Sequence, residues 1–231
     1  MSGPRYWSVE HRRADPESLI GSWPADPGGC GRTAALCEPV GAPALVLGST
    51  QAVEDVDRDA LQRQGVVLLR RGSGGGAVLV APGEQLWIEF WVPRADPLWD
   101  DDVVRAAHWA GEVWRRALTA VGVDGLDLHR GRAVRGPWSD SVCFAGRGPG
   151  EVVRRGAKLV GLAQRRTRHG ARIATVALRR WQPETVLALL ALPGGSGPAT
   201  ADPLAEGATG LEVLGAWDAG LAEAVLESLP V

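Results

Sequence analysis

Three groups of side chains in this sequence could do covalent or phosphate chemistry, and the sharpest is a lone ammonium. Of the 25 Lys and Arg residues, Lys158 alone is a lysine. Lysine is ordinarily among the commonest residues, so arginine has taken the positions where positive charge alone suffices. A compact, mobile ammonium differs from a planar guanidinium fork, and a site crowded by two anions can require the former. Read alone, the surviving lysine is equally a chance residue. The second group is Arg70-Arg71-Gly72-Ser73-Gly74-Gly75-Gly76-Ala77-Val78. Consecutive glycines let backbone amides approach a ligand and admit positive φ, and paired guanidiniums suit phosphate oxygens. A ligand-free glycine hairpin has the same composition. The third is Cys143 in Ser-Val-Cys-Phe, a thiol beside Phe that on its own reads as a small packed side chain.

Strands and loops must hold these groups. A short apolar run predicts a strand over 44–48, helical spacing predicts a helix over 55–64 stopped by Gly65, and a strand over 66–69 runs into the glycines. A strand over 77–80 leaves them. Strand–loop–strand rules out a Walker loop or a dinucleotide fingerprint, both of which need a helix after the glycines. Residues 86–92 alternate, with Leu86, Ile88, Phe90 and Val92 on one face and Trp87, Glu89 and Trp91 on the other, the pattern of a half-covered antiparallel strand.

The strongest helix spans 101–121, with Asp100, Asp101 and Asp102 at its positive end, an apolar stripe from Val103 to Val121 and Gly122 as C-cap. Strands are then expected over 141–144, 151–154, 158–165 and 172–178, with 155–157 as the turn before Lys158. On the third of these, Lys158, Val160, Leu162 and Gln164 share one face, while Gly161 and Ala163 leave room on the other. The first forty residues read as loop around a short helix over 16–21. Helices over 183–190 and 217–228, separated by a loose 193–210, complete an α+β fold of mixed, largely antiparallel sheets packed with helices.

Taken together, the segments resemble the lipoate-protein ligase A family of the biotin/lipoate protein ligase superfamily. The family pattern is Arg-Arg-x-Ser/Thr-Gly-Gly-Gly-Ala-Val, then Cys-Phe, then Gly-x-Lys-x-x-Gly-x-Ala-Gln-Arg-Arg. This chain supplies 70–78, Cys143-Phe144 and 156–166 in that order, and the resemblance spans about residues 40–180. It implies a biotin/lipoate ligase-type catalytic domain. It also implies attachment of lipoate or octanoate, through an acyl-AMP made from ATP with Mg2+, to a lysine of a lipoyl domain. The acceptor would be a 2-oxoacid dehydrogenase subunit or the glycine-cleavage H protein. Lys158 would be the catalytic cation, with Arg70, Arg71, Ser73, Gly74, Gly75, Gly76, Ala77, Val78, Gly161, Ala163 and Gln164 around substrate and nucleotide. Trp87 or Trp91 would wall the acyl tail.

The chain departs from the family where an aromatic, a His and an Asp usually follow the glycine motif; here stand Leu79, Val80 and Ala81. It departs again near 172–175, where a His-Gly pair is expected. Related octanoyltransferases use a cysteine and no ATP, and Cys143 matches the place of that cysteine. A non-catalytic module that binds acyl groups or carrier domains is the third reading.

Length and composition set the outer bounds. A chain of 231 residues, 45% hydrophobic, suffices for one large domain and leaves little room for the accessory domain of larger family members, so a single domain is expected. A net charge of −2 excludes a nucleic-acid-type positive field. No apolar run reaches the ~20 residues a membrane helix needs. Residues 1–10 lack the apolar core of a signal peptide, so a cytoplasmic location is expected. Three cysteines, Cys30, Cys37 and Cys143, argue against a disulfide framework, and no metal site is expected. His108 and His129 read as incidental.

Overall fold

The computed structural model describes residues 6–21, 31–191, 204–217 and 219–231. In chain order the elements are β1 (Trp7–Ala14), α1 (Pro16–Gly21), β2 (Arg32–Pro39), β3 (Ala44–Leu47), α2 (Arg58–Gln64), β4 (Val67–Arg70), β5 (Val78–Val80) and β6 (Gln85–Pro93). There follow α3 (His108–Ala120), β7 (Leu126–Leu128), β8 (Val152–Arg154), β9 (Ala157–Arg166), β10 (Gly170–Leu178), α4 (Pro183–Leu187) and α5 (Ala219–Glu227). A seven-stranded sheet runs β1-β2-β6-β10-β9-β8-β7, and a three-stranded sheet runs β4-β3-β5. The pairs β1–β2 and β3–β4 are parallel and the remaining described pairs antiparallel. The fold is α+β, as the order of segments implies.

The alternation in β6 explains how the layers are built. Ile88 and Phe90 enter one core with Ala110, Val113, Trp114, Ala117 and Leu118 of α3 and Leu221 and Val225 of α5. Trp114 Nε1 donates to Thr175 Oγ1 at 2.8 Å, and that hydroxyl donates to Ile88 O at 2.6 Å, pinning the helix to β10 and β6. The opposite face does not meet solvent. Trp87 packs there with Ala35 and Cys37 of β2, Leu19 of α1, and Ala44, Val46 and Val80 of the small sheet. The half-covered strand is therefore a strand covered on both sides, because a second sheet lies over the face that carries Trp87 and Glu89.

Other expectations shift for local reasons. β1 and β2 replace the loop expected over most of the first forty residues. β1 is an edge strand rich in charge, a composition that blunts an edge and hides its period. The helix expected from 101 begins at His108. Asp102 Oδ1 accepts from Val104 N at 2.8 Å and Arg105 N at 3.2 Å, so the acidic residues cap a short turn ahead of α3. Val103, placed on the apolar stripe, is 59% exposed. The strand expected over 141–144 reduces to one parallel bridge, Ala77 to Val142, followed by a 3-10 turn at Cys143–Ala145. The final two helices shorten to α4 and α5. The loose stretch 193–210 lies largely outside the described residues, as does Cys30. Among the described residues, no helix is long and apolar enough to cross a membrane.

Candidate functional site

Lys158 is placed by a turn and a bulge. Arg155 and Gly156 have φ of 49° and 90°, the doubly positive geometry of a tight two-residue hairpin turn. Asp124 braces that turn through Arg154 and then Arg155, and these bonds hold its carboxyl below the usual carboxylate range. Beyond the turn, Val153 pairs with Lys158 but Val152 pairs with Val160, so Leu159 is one extra residue on β9. A bulge of this kind turns two successive side chains to one side and re-aims its neighbour. Leu159 and Val160 both enter the core under α3, and Lys158 swings to the other face. The simple alternation that put Lys158 with Val160 and Leu162 is thereby corrected. Its backbone is tied on the free side as well, through Lys158 N to Gly207 O and Thr209 N to Lys158 O, each 2.9 Å.

The ammonium is 2% exposed and fully satisfied. Its Nζ lies 2.7 Å from Glu151 Oε1, 3.0 Å from Cys143 O and 3.3 Å from Gly146 O. Three donors thus meet three acceptors, and Nζ stands 4.9 Å from the centre of the Phe144 ring. Glu151 is held in turn by Leu162 N at 3.1 Å and Gly148 N at 2.7 Å. Gly161 makes room: a Cβ there would stand 3.3 Å from Lys158 Cε and 3.3 Å from Phe144 Cζ. Glu151 is a site residue that the sequence reading missed.

The glycine segment leaves β4 and crosses to β5 pressed against the chain around Cys143. Ala77 N donates to Ser141 O at 2.8 Å and Cys143 N to Ala77 O at 2.9 Å. A Cβ on Gly76 would stand 2.4 Å from Val142 N, and one on Gly48 would stand 1.9 Å from Gly75 O. Close backbone approach therefore demands these glycines. The two arginines hold the loop itself. Arg71 Nη2 donates to Gly74 O and Gly76 O at 2.8 and 2.9 Å, and its Nε to Ser73 Oγ at 3.1 Å. Arg70 Nη1 donates to Gln51 O at 2.6 Å and Gly48 O at 2.9 Å. Both guanidiniums, the expected phosphate contacts, hold these backbone carbonyls.

Between the two sheets, beside this loop, lies a mainly apolar cavity of about 150 Å³. Of the expected site residues, Arg71, Ser73, Gly74, Val78, Cys143, Gly161, Ala163 and Gln164 line it. Arg70, Gly75, Gly76, Ala77 and Lys158 do not line it; the Lys158 ammonium stands behind the wall, bonded to Cys143 O and 4.9 Å from the centre of the Phe144 ring. Trp87 walls the cavity; Trp91 does not, nor do His108 and His129. Gln164 Nε2 is buried without a hydrogen bond among the described residues. The wall also holds Glu89 and Arg172, a pair the sequence reading passed over although the alternation already put Glu89 beside Trp87. Cys37 is buried between the sheets, where desolvation pushes its thiol up.

Residues 33–189 match the model of the lipoyl protein ligase A/B catalytic domain. Octanoyltransferase LipM of an Exiguobacterium strain is 32% identical over 119 residues, 49% of this chain and 42% of that protein, so the match spans less than half of the relative. The bipartite lipoate protein ligase of Thermoplasma acidophilum, studied with its E2 lipoyl domain, superposes with a TM-score of 0.73 at 16% identity, over 97% of this chain and 82% of that one. A lipoate-protein ligase A bound with ATP gives 0.68 at 17% identity, over 97% and 83%. At such identities the structural likeness is one of fold. The family model, however, covers well over half the sequence and takes in the glycine loop, Cys143 and the Lys158 hairpin: this chain belongs to the lipoyl protein ligase A/B catalytic-domain family.

Proposed function

We propose that the protein attaches an octanoyl or lipoyl group to a lysine of a lipoyl carrier domain, such as that of a 2-oxoacid dehydrogenase subunit or the glycine-cleavage H protein, with Cys143 as covalent relay. One observation carries this reading. Cys143 leaves the expected strand for a 3-10 turn at the cavity wall, and its own carbonyl rests on the Lys158 ammonium. In the first step the Cys143 thiolate attacks the carbonyl of an acyl thioester, the donor thiol departs and an acyl-cysteine remains. In the second, the ε-amine of the acceptor lysine attacks that carbonyl, an amide forms and the Cys143 thiol returns. Negative charge builds on the acyl oxygen in both steps, and a fixed buried cation is worth most there. Lys158 would serve it by exchanging its longest bond, to Gly146 O.

The chain's resemblance to lipoate-protein ligases favours a second route, ATP-dependent ligation through an acyl-AMP. The likeness of fold to the ATP-bound ligase supports it, but Arg70 and Arg71 are engaged with the loop. Phosphates would have to be met by the glycine amides, Lys158 and Arg165, which lies beside Gly72. Among the described residues no three His, Cys, Asp or Glu side chains gather as a metal site, so a Mg2+ serving this route would be held largely by the nucleotide phosphates.

Two assays separate the routes. The relay predicts octanoyl transfer from a carrier-protein thioester to a lipoyl domain, abolished in Cys143→Ala, with no octanoate-dependent ATP–pyrophosphate exchange. Exchange that persists in Cys143→Ala and vanishes in Lys158→Arg would replace it with the ligase. Absence of both activities leaves a binding module.

A further inference from the structure

The floor of the cavity that would take the acyl chain is built in two cross-strand rows. Register sets Gly161, Val176 and Trp87 in one row and Ala163, Ala174 and Glu89 in the other, each running from β9 through β10 to β6. Directly paired residues share one face of a sheet, and all six line the cavity. Gly161, Ala163 and Ala174 keep the floor low and so leave a trough, roofed by Val46 of β3 and Val78 and Val80 of β5. The reacting end lies at β9, where a Cβ on Gly161 would stand 3.3 Å from the ring of Phe144, the neighbour of Cys143. At the β6 end stands Trp87, the largest side chain of the floor, buried between the sheets. Its indole is anchored: Nε1 donates to Glu89 Oε1 at 3.1 Å, and Arg172 Nη2 donates to the same oxygen.

Space continues past that ring. A second cavity of about 400 Å³ adjoins the first, and Gln85 and Trp87 line both. Leu36, Leu86 and Trp217 give it apolar walls. The pairing of β2 with β6 ends at Cys37 and Trp87, so beyond that rung no ladder bonds seal one strand to the other. Gln85 is occupied with backbone, its Oε1 accepting from Ala81 N at 3.1 Å and its Nε2 donating to Leu79 O at 3.4 Å. The indole is the bulky part of the partition. From Gly161 to Trp87 is two strand spacings, about 10 Å, the reach of an extended eight-carbon acyl chain.

Resting on the acyl-cavity reading above, we infer that Trp87 is the end wall of this cavity, limiting the acyl group to about eight carbons, and that the second cavity is the space a longer tail would enter if the indole were removed. Trp87 touches no reacting atom and acts by exclusion. A longer tail must either displace a buried, hydrogen-bonded ring or fold back toward water, and both cancel the gain from its added methylenes.

Calorimetric titration of the intact chain with hexanoate, octanoate, decanoate and dodecanoate tests this without nucleotide or thioester. Each buried methylene is worth about four-fold in affinity. Octanoate should therefore bind about ten-fold or more tighter than hexanoate, and dodecanoate should gain nothing over octanoate. In Trp87→Ala, dodecanoate should bind about ten-fold or more tighter than octanoate, its tail reaching the second cavity. Trp87→Phe, a milder change, should move the tightest ligand only as far as decanoate. The ranking on the unaltered protein stands even where the alanine variant does not fold. Affinity that climbs from octanoate to dodecanoate as steeply as from hexanoate to octanoate overturns the end wall and leaves the acylation proposal in place. Variants that keep the parent's ranking overturn it as well. Binding of none of the four removes the acyl cavity and this inference together.

Discussion

Lys158 and Glu151 form a buried ion pair, at 2% and 4% side-chain exposure, closed on every side by backbone groups. Two charges withdrawn from water recover their solvation only through such full coordination, and removing one partner strands the other. Lys158 would keep two carbonyls but lose its counter-charge. Glu151→Ala should therefore cost about 3 kcal/mol in urea unfolding, against about 1 kcal/mol for removal of an exposed carboxylate. The double change Glu151→Leu with Lys158→Met should recover much of the loss, because no unpaired charge remains. A single-variant cost near that of a surface pair would mean water reaches Nζ, and the site would not be the dry electrostatic environment the proposed acylation needs. The arginines show the complementary use of charge. Arg70 and Arg71 spend their wide forks on several carbonyls at once, a task for which lysine is poorly shaped. This explains how one lysine can remain among so many arginines without every arginine being catalytic.

The glycine loop makes a prediction at the scale of an element, because its glycines are not equivalent. A Cβ on Gly76 would collide with the backbone of Ser141 and Val142, whereas one on Gly74 meets nothing within 4 Å. Gly76→Ala should push the loop off the Cys143 turn, costing about 2 kcal/mol or more of stability and most of the proposed acyl transfer. Gly74→Ala should leave the melting temperature within a degree or two of the parent, about the effect of a neutral surface change. Equal effects from the two would show that the loop is not clamped as described. The contrast also marks what the sequence could reveal. Three glycines announced a tight loop, and Arg155-Gly156 announced the turn before Lys158, because both signals are local. The bulge at Leu159 was hidden, since an extra residue exists only relative to the strand it pairs with. Glu151 was hidden for the same reason, its role arising from a contact seven residues away across a hairpin. At 141–144 the sequence looked like a strand, but only Val142 finds a partner and the chain turns into the cavity wall instead. At β6 the alternation is legible in the sequence but its meaning is not, because nothing local says that a second sheet covers Trp87 and Glu89.

Across the whole molecule, two sheets enclose the charged end of the cavity while the outer surface carries paired carboxylates, and the two populations respond oppositely to pH. Asp100 is held below the usual carboxylate range by Arg105, Asp102 by the amides of Val104 and Arg105, and Glu112 by Arg115. Groups depressed on folding contribute stability above their unfolded values and lose it as pH falls through the folded ones. Glu89 is displaced the other way: burial raises it above its ordinary 4.5, with Arg172 and Arg12 opposing. A raised carboxyl favours folding most when protonated, and that contribution declines as pH rises through its folded value. Melting temperature followed from about pH 3 to pH 8 should therefore fall steeply on the acid side, an arm that added salt weakens as it screens the exposed pairs. Above pH 4.5, the ordinary value of Glu89, the curve should carry a declining component that Glu89→Gln removes. The variant will melt lower throughout, since two guanidiniums lose their carboxylate, so the shape of the curve and not its height is the readout. An unchanged slope above that point would mean that Glu89 is already as well solvated or paired as a surface carboxyl.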